Sequence, residues 1–193
     1  MRENKIEVVD VEYSEFLNSE YSKNALINTE YYGFEEDYLI IHCLLKKHNP
    51  KTIFEIGTYM GNGCRVMKNS SPDSKIFTLD IVNCGQYCPP DVEKIVFDSM
   101  KYDYSKNYPI DCWFIDGNHT YENVYHETKQ ALLSNPNLII YHDADIPEVF
   151  NGIIDSFNDS SNFSYKLYRV VNPPRIYSSS GLPITRVLFA EKR

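Results

Sequence analysis

Residues 53–63, Ile-Phe-Glu-Ile-Gly-Thr-Tyr-Met-Gly-Asn-Gly, constrain the fold of this chain more than any other segment. An apolar, β-prone run carries the acid Glu55, a glycine-containing turn follows, and a helical pattern resumes near Cys64. This order predicts a strand, a tight turn and a helix N-terminus, which together form nucleotide-type cofactor sites in open α/β sheets. The spacing is E-x-G-x-x-x-G rather than the G-x-G-x-x-G of pyrophosphate sites. It therefore favours a cofactor with a cationic ammonium, which Glu55 would neutralise.

The composition indicates one acidic globular domain. The chain has 193 residues, 42% of them hydrophobic, and a net charge of −8. Nucleic-acid binding would require a basic patch, and no such cluster is present, so we expect no nucleic-acid partner. No apolar run approaches the ~20 residues of a membrane helix, and the N-terminus lacks an apolar signal region, so we expect a cytoplasmic protein.

The five cysteines, an odd number, fit a reducing compartment. Cys84 and Cys88 form a C-x3-C pair. This pair is either half of a zinc site or, as we expect, two loop thiols, because no second pair with ligand spacing exists.

Hydrophobic periodicity predicts strands that alternate with helices. The predicted helices cover residues 34–48, 62–69, 121–133 and 147–157, and the predicted strands cover 52–56, 75–79, 94–97, 111–115, 138–141, 165–171 and 185–190. This alternation predicts a mostly parallel sheet, and the last two strands, which have no helix between them, predict one antiparallel strand. Residues 1–33 are predicted to be an extension with one or two short helices that caps the substrate site.

Each of the first five predicted strands ends at an acid, namely Glu55, Asp80, Asp98, Asp116 and Asp143. Ligands bind outside the carboxyl ends of the strands in such sheets, so these acids should converge on one crevice. Asp80 follows Gly57 at a sequence distance close to the ~20 residues after which an acid typically binds a ribose diol in such folds. For any one acid the alternative is a helix N-cap or a solvated loop position.

The ordered motifs resemble class I S-adenosylmethionine-dependent methyltransferases, in particular the branch with small-molecule and sugar O-methyltransferases and cephalosporin-hydroxylase-like proteins. The resemblance is carried by residues 55–61, 79–80, 98–99, 114–122 (F-I-D-G-N-H-T-Y-E) and 138–143 (L-I-I-Y-H-D). It implies a Rossmann-like, doubly wound, seven-stranded sheet over residues 34–193, mostly parallel with an antiparallel last strand.

The resemblance also implies roles for the cofactor residues. Gly57, Thr58, Tyr59 and Gly61 would bound the methionine part of S-adenosylmethionine, while Glu55 would help to hold its ammonium. Asp80 would bind the ribose, and Asp98 and Ser99 would lie on the adenine side. Asp116 would face both the cofactor and the substrate.

Methyl transfer to a hydroxyl requires a base, a metal or both. His119 is the leading candidate for the base, because imidazole titrates close to neutral pH, although its ring could instead cap the helix near Tyr121 or form a hydrogen bond with a neighbouring loop. His142 is either a direct participant or a supporting residue. The resemblance implies a Mg²⁺ ion held by Asp116 and Asp143, with Asp145 as a further candidate ligand. His142 departs from relatives that have Glu at this position.

The predicted partner is a small-molecule acceptor, with a sugar hydroxyl as the leading expectation and an amine as a lesser one. An aromatic rim of Tyr13, Tyr21, Tyr31, Tyr32 and Tyr59 and the cation of Arg175 could contact it. Two alternatives stay open, an NAD-dependent oxidoreductase on a related sheet and a non-catalytic cofactor-binding module. The oligomeric state is also open, with a homodimer as one expectation.

Overall fold

The structure is a computed structural model that describes residues 6–23, 25, 35–160, 165–174 and 184–193. The predicted contacts of Tyr31, Tyr32 and Arg175 with the substrate lie outside these residues.

One mixed sheet of eight strands runs through the molecule. The strands are β1 (Val8–Glu12), β2 (Thr52–Ile56), β3 (Lys75–Asp80), β4 (Glu93–Val96), β5 (Cys112–Ile115), β6 (Leu138–Tyr141), β7 (Tyr165–Val171) and β8 (Ile184–Lys192). Their order is β1-β7-β8-β6-β5-β2-β3-β4. Only β8 runs antiparallel to its neighbours, β6 and β7. The predicted fold class is confirmed.

In the described part of the chain, five α-helices cover the sheet, namely α1 (Tyr13–Leu17), α2 (Glu35–His48), α3 (Asn62–Ser70), α4 (Tyr121–Ser134) and α5 (Pro147–Asn158). The first three share one hydrophobic core with one face of the sheet, and α4 and α5 share a second core with the other face. Pro147 begins α5 at a position where its missing N–H costs no hydrogen bond. Among the described residues, no helix has the length and apolarity needed to cross a lipid bilayer.

The sheet has eight strands rather than the predicted seven, because the N-terminal segment contributes β1. This strand pairs in parallel with β7, from Val8 opposite Leu167 to Glu12 opposite Val171. The acids of β1 interrupt its apolar sequence, so the strand could not be recognised from hydrophobicity. An edge strand tolerates such residues, because its polar side chains can form hydrogen bonds with the neighbouring strand. Asp10 accepts hydrogen bonds from the guanidinium of Arg169. The cap role of residues 1–33 stays a prediction.

The turn after β2, residues 57–61, is the predicted cofactor turn. It lies at the point where the strand order reverses, because β2 lies between β3 and β5. Gly57, which follows β2, donates its N–H to Leu79 O at 2.8 Å, and Asp116 N donates to Ile56 O at 2.9 Å. Gly57 has a φ of 95°, and a Cβ there would lie 2.0 Å from the carbonyl oxygen of Asp116. Only glycine permits this close contact between the turns that follow β2 and β5.

We therefore predict that Gly57→Ala destabilises the protein by on the order of 3 kcal/mol, because the added methyl meets fixed backbone at an unfavourable φ. Urea denaturation measures the change. Asn135→Gly is the matched control, because Asn135 ends α4 with a φ of 52° and glycine accepts that conformation. We expect that control to change stability by less than about 1 kcal/mol. An unchanged denaturation midpoint in Gly57→Ala would contradict the close-contact argument.

Candidate active site

A cleft of about 800 Å³ opens at the carboxyl ends of the central strands. Its volume lies within the range of small-molecule and cofactor sites. It is lined by most of the predicted site residues, namely Glu55, Gly57, Thr58, Tyr59, Asp80, Asp98, Ser99, Asp116, His119, His142 and Asp143. The structure therefore brings the predicted cofactor and catalytic residues to one site.

Gly61 is the predicted cofactor residue that does not line this cleft. It precedes α3 with a φ of 89°, and its N–H donates to Thr58 O at 2.7 Å. A Cβ at Gly61 would lie 2.6 Å from the backbone nitrogen of Cys88. Gly61 therefore lets the following loop pack on the cofactor turn. That loop carries Cys84 and Cys88, neither of which forms a disulfide bond.

Glu55 is a buried acid in the wall of the cleft. Its Oε2 accepts hydrogen bonds from Cys64 Sγ at 2.8 Å and from the Thr78 hydroxyl. Burial raises the pKa of Glu55 to about 8, although these two hydrogen bonds oppose the change. None of the groups that dominate its pKa is a cation. A bound ammonium would supply the missing positive charge, so Glu55 fits its predicted role.

Asp80 lines the cleft, but its own loops already use its carboxylate. Its Oδ2 accepts from the backbone N–H groups of Thr58 and Tyr59, both at 3.0 Å, and its Oδ1 accepts from Val82 N at 3.1 Å. Burial would raise the pKa of Asp80, but these hydrogen bonds outweigh burial and lower it. Asp80 therefore holds the cofactor turn in place, and its contact with a ribose stays a prediction.

Asp98, which is predicted to lie on the adenine side, also has a carboxylate that neighbouring residues already contact. Its Oδ1 accepts from Met100 N at 3.0 Å, and its Oδ2 pairs with Lys101 Nζ at 2.8 Å. Met100 and Ile81 also line the cleft and are partly or largely exposed, so they offer apolar surface to a flat ring. Neither residue was predicted from the sequence to line the site, although Ile81 directly follows Asp80.

Two acids and two histidines meet at the other side of the cleft. His119 Nε2 lies 3.1 Å from Asp143 Oδ2 and 3.8 Å from Asp116 Oδ1. His142 Nδ1 lies 3.2 Å from Asp143 Oδ2 and 3.4 Å from Asp116 Oδ1. The strands set this geometry, because Asp116 and His142 follow β5 and β6 directly, and His142 N still donates to Ile115 O at 3.1 Å.

His119 does not cap the helix that follows it. Thr120 is the N-cap of α4, and its side-chain oxygen accepts from the N–H of Asn123. The helix-cap alternative for His119 is therefore wrong, and its ring lines the cleft beside Asp143.

Three further residues complete the centre, and none of them was predicted from the sequence to lie there. Asp37 and Tyr38 come from α2, and Arg186 comes from β8. Asp37 Oδ2 lies 3.3 Å from His142 Nε2, while Asp37 Oδ1 accepts from Arg186 N at 3.3 Å. The Arg186 guanidinium forms an ion pair with Asp143. The acid run at residues 35–37 was the available signal, but it is also ordinary for the first turn of a helix.

The acids and His142 shift each other's pKa values. Burial would lower the pKa of His142, but the carboxylates of Asp116 and Asp37 outweigh burial and raise it to about 10. Burial would raise the pKa of Asp116, but the two histidines outweigh it and lower the value to about 2. Burial raises the pKa of Tyr38 to about 12, so its hydroxyl stays protonated at neutral pH.

Asp116, His142 and Asp143 also form a candidate metal centre. Each offers one ligand atom, and these atoms all lie within 4.8 Å of one another. The two carboxylates fit the predicted Mg²⁺ role, because hard cations take oxygen ligands. Asp145, the further ligand considered from the sequence, is not part of this group, and the third member is His142.

No protein-family profile matches the sequence, and no curated protein is similar to it. Solved structures do match. An O-methyltransferase from Bacillus cereus, in complex with S-adenosylhomocysteine, aligns over 94% of this chain and 90% of its own, with a TM-score of 0.63 and 16% identity. The O-methyltransferase TomG from Streptomyces achromogenes, in complex with S-adenosylmethionine, aligns over 81% and 79%, with a TM-score of 0.56 and 14% identity.

A third match is MycE from the mycinamycin biosynthetic pathway, in complex with Mg, S-adenosylhomocysteine and mycinamycin VI. It aligns over 86% of this chain and 50% of its own, with a TM-score of 0.56 and 17% identity. The chain has the class I methyltransferase fold.

Glu55 predicts a pH dependence of stability. Its folded pKa of about 8 lies above its ordinary value of 4.5, so the folded state favours the protonated carboxyl. The stability that this group contributes is complete below about pH 4.5 and is lost as the pH rises to about 8. Since each pKa unit corresponds to about 1.4 kcal/mol, the loss is on the order of a few kcal/mol. Urea denaturation between pH 5 and 9 measures it.

Glu55→Gln should remove this slope, and the difference between the two proteins isolates Glu55. Glu127, whose pKa burial raises to about 7, contributes equally to both. A saturating cofactor should flatten the wild-type slope, because an ammonium favours the ionised carboxylate. If wild type and Glu55→Gln showed the same pH profile without cofactor, the assignment of a neutral, buried Glu55 would be wrong.

Proposed function

We propose that this protein is an S-adenosylmethionine-dependent methyltransferase that methylates a hydroxyl group of a small molecule. One observation carries the proposal. The same cleft is lined by a buried acid, Glu55, whose pKa is set by burial, hydrogen bonds and other acidic groups rather than by a cation among the described residues, and by an acid–histidine centre that can accept a proton, Asp116 with His119 and Asp143. The class I methyltransferase fold supports the same conclusion.

In this proposal the cofactor lies along the carboxyl ends of β2, β3 and β4. Glu55 holds its ammonium, and Gly57, Thr58 and Tyr59 line the methionine part. Asp80 holds the turn and contacts the ribose, while Asp98 and Ser99 lie beside the adenine. When bound, S-adenosylmethionine supplies a methyl group on a sulfonium, which is a good leaving group for displacement by oxygen.

His119 is the proposed general base. Its Nε2 lies 3.1 Å from Asp143 Oδ2, so the tautomer with its proton on Nε2 faces that carboxylate and leaves the lone pair on Nδ1 to take the proton of the acceptor hydroxyl. Asp143 thereby orients the ring and stabilises the imidazolium. A cation held by Asp116 and Asp143 would lower the pKa of that hydroxyl. His142, held by Asp37, keeps the two carboxylates in position.

Within this class of acceptor we favour a sugar. Tyr38 and Tyr59 line the cleft, and the Tyr59 side chain is 68% exposed. Aromatic faces of this kind offer apolar surface to sugar rings, while the acids offer acceptors to their hydroxyls. The NAD-dependent alternative is not favoured, because a pyrophosphate at this turn would meet the neighbouring acids Glu55 and Asp80 rather than bare N–H groups.

We predict that the wild-type protein binds S-adenosylmethionine and releases S-adenosylhomocysteine when incubated with an acceptor panel of sugars, phenols and alcohols. Calorimetry and product analysis measure the two steps. Binding without turnover across the panel would support the non-catalytic module instead. Absence of binding at millimolar cofactor would remove the proposal.

We further predict that His119→Gln lowers the transfer rate by about 10²- to 10⁴-fold, as expected for the loss of a general base. Its cofactor dissociation constant should change by less than about threefold, because His119 lies on the acceptor side. His48→Gln is the control, because His48 pairs with Glu191 away from the cleft. Full activity in His119→Gln would assign the base to another residue.

A further inference from the structure

The candidate metal centre carries a nitrogen donor between its two carboxylates. His142 Nδ1 lies 3.4 Å from Asp116 Oδ1 and 3.2 Å from Asp143 Oδ2. Two adjacent ligands that each lie about 2.1 Å from one ion are about 3 Å apart. The observed separations are close to that value, so the imidazole has the placement of a third ligand.

Asp37 orients this imidazole from behind. Its Oδ2 lies 3.3 Å from His142 Nε2, and both side chains are almost fully buried. Asp37 is itself fixed, because its Oδ1 accepts from the backbone of Arg186. An Nε2–H donated to Asp37 directs the Nδ1 lone pair toward Asp116 and Asp143. This is the arrangement in which metal-ligating histidines donate their other ring N–H to a carboxylate.

The charges around the centre match a divalent ion. Asp37, Asp116 and Asp143 contribute three negative charges, and Arg186 compensates one of them through its ion pair with Asp143. Binding of the ion displaces the Nδ1 proton that the carboxylates favour in the metal-free protein. With His142 then neutral, these four side chains leave two negative charges. That ion pair involves Oδ1 of Asp143, so it leaves Oδ2 facing His142.

We propose that Asp116, His142 Nδ1 and Asp143 bind a divalent first-row transition metal ion, of the class of Co²⁺ or Zn²⁺, in preference to Mg²⁺. Mg²⁺ favours oxygen ligands and water, whereas imidazole favours the later transition ions. The inference deepens the proposed function, since the ion would lie beside the acceptor. Binding of the ion itself requires neither the methyl donor nor the acceptor.

The test titrates EDTA-treated protein with Co²⁺ and, separately, with Mg²⁺, using calorimetry and the visible absorption of Co²⁺. We expect one Co²⁺ per chain and at least a tenfold tighter dissociation constant for Co²⁺ than for Mg²⁺. Binding at the free cysteines would add a sulfur-to-cobalt charge-transfer band in the near ultraviolet, which the proposed site does not produce. Such a band without d–d absorption from a nitrogen–oxygen site would overturn the proposal.

Two variants separate the ligand from its support. His142→Glu supplies oxygen in place of nitrogen, so the preference for Co²⁺ over Mg²⁺ should fall at least tenfold. Asp37→Asn removes no ligand but loses the orienting charge, so Co²⁺ affinity should fall by about 10- to 100-fold. His48→Gln, at a histidine outside the cleft, should bind Co²⁺ as the wild type does.

Three further results would overturn the proposal: equal affinities of the wild type for the two ions, Co²⁺ binding that is unchanged in His142→Glu, or no Co²⁺ binding at millimolar concentration. In the last case the His142 imidazolium itself bridges Asp116 and Asp143. Should His142→Glu fail to fold, the preference of the wild type for Co²⁺ over Mg²⁺ and the Co²⁺ affinity of Asp37→Asn test the proposal. Binding of S-adenosylhomocysteine to the same samples keeps the outcomes apart, because the proposed function survives if that ligand binds and the metal does not.

Discussion

The site depends on the close contact between Gly57 and the carbonyl of Asp116. The turn after β2 must hold the methyl donor in the proposed function, and the turn after β5 must hold the acceptor chemistry. A Cβ at Gly57 would lie 2.0 Å from the Asp116 oxygen, so a larger residue would force the two turns apart. Methyl transfer requires reacting atoms within about 3 to 3.5 Å of each other. In the proposed function, this backbone contact therefore sets how close the turn after β2 brings the methyl donor to the acceptor side of the cleft.

The geometry of the acid–histidine centre also depends on a residue of α2, Asp37. Asp37 contacts both the His142 ring and the backbone of Arg186, so one helix residue joins the ends of β6 and β8. Asp143, which directly follows His142, has a φ of 51°, a conformation that non-glycine residues rarely adopt. The ion pair with Arg186 and the contacts with both histidines hold Asp143 there. Packing and charge therefore fix the same carboxylate.

The central strands and the acids at their ends could be predicted from the sequence, because buried parallel strands are short apolar runs and each ends at a polar residue. β6 and β7 have the predicted bounds, and β4 is one residue earlier than predicted. β1 could not be predicted, since its acids at an exposed edge break the apolar pattern. The parts played by Asp37 and Arg186 also could not be predicted, because they depend on how α2 and β8 pack against β6.

The five strand-end acids look alike in the sequence, but their surroundings separate them. Asp80 and Asp98 already accept hydrogen bonds from their own loops, and these bonds lower the pKa of each. For Glu55, burial outweighs the hydrogen bonds from Cys64 and Thr78 and raises the pKa to about 8, and none of the groups that dominate this pKa is a cation. The first kind of acid shapes a loop whether or not a ligand is present. An acid whose charge is uncompensated in the protein alone is the one that gains most from a cationic ligand, which is why Glu55, rather than Asp80, is the acid that points to the cofactor.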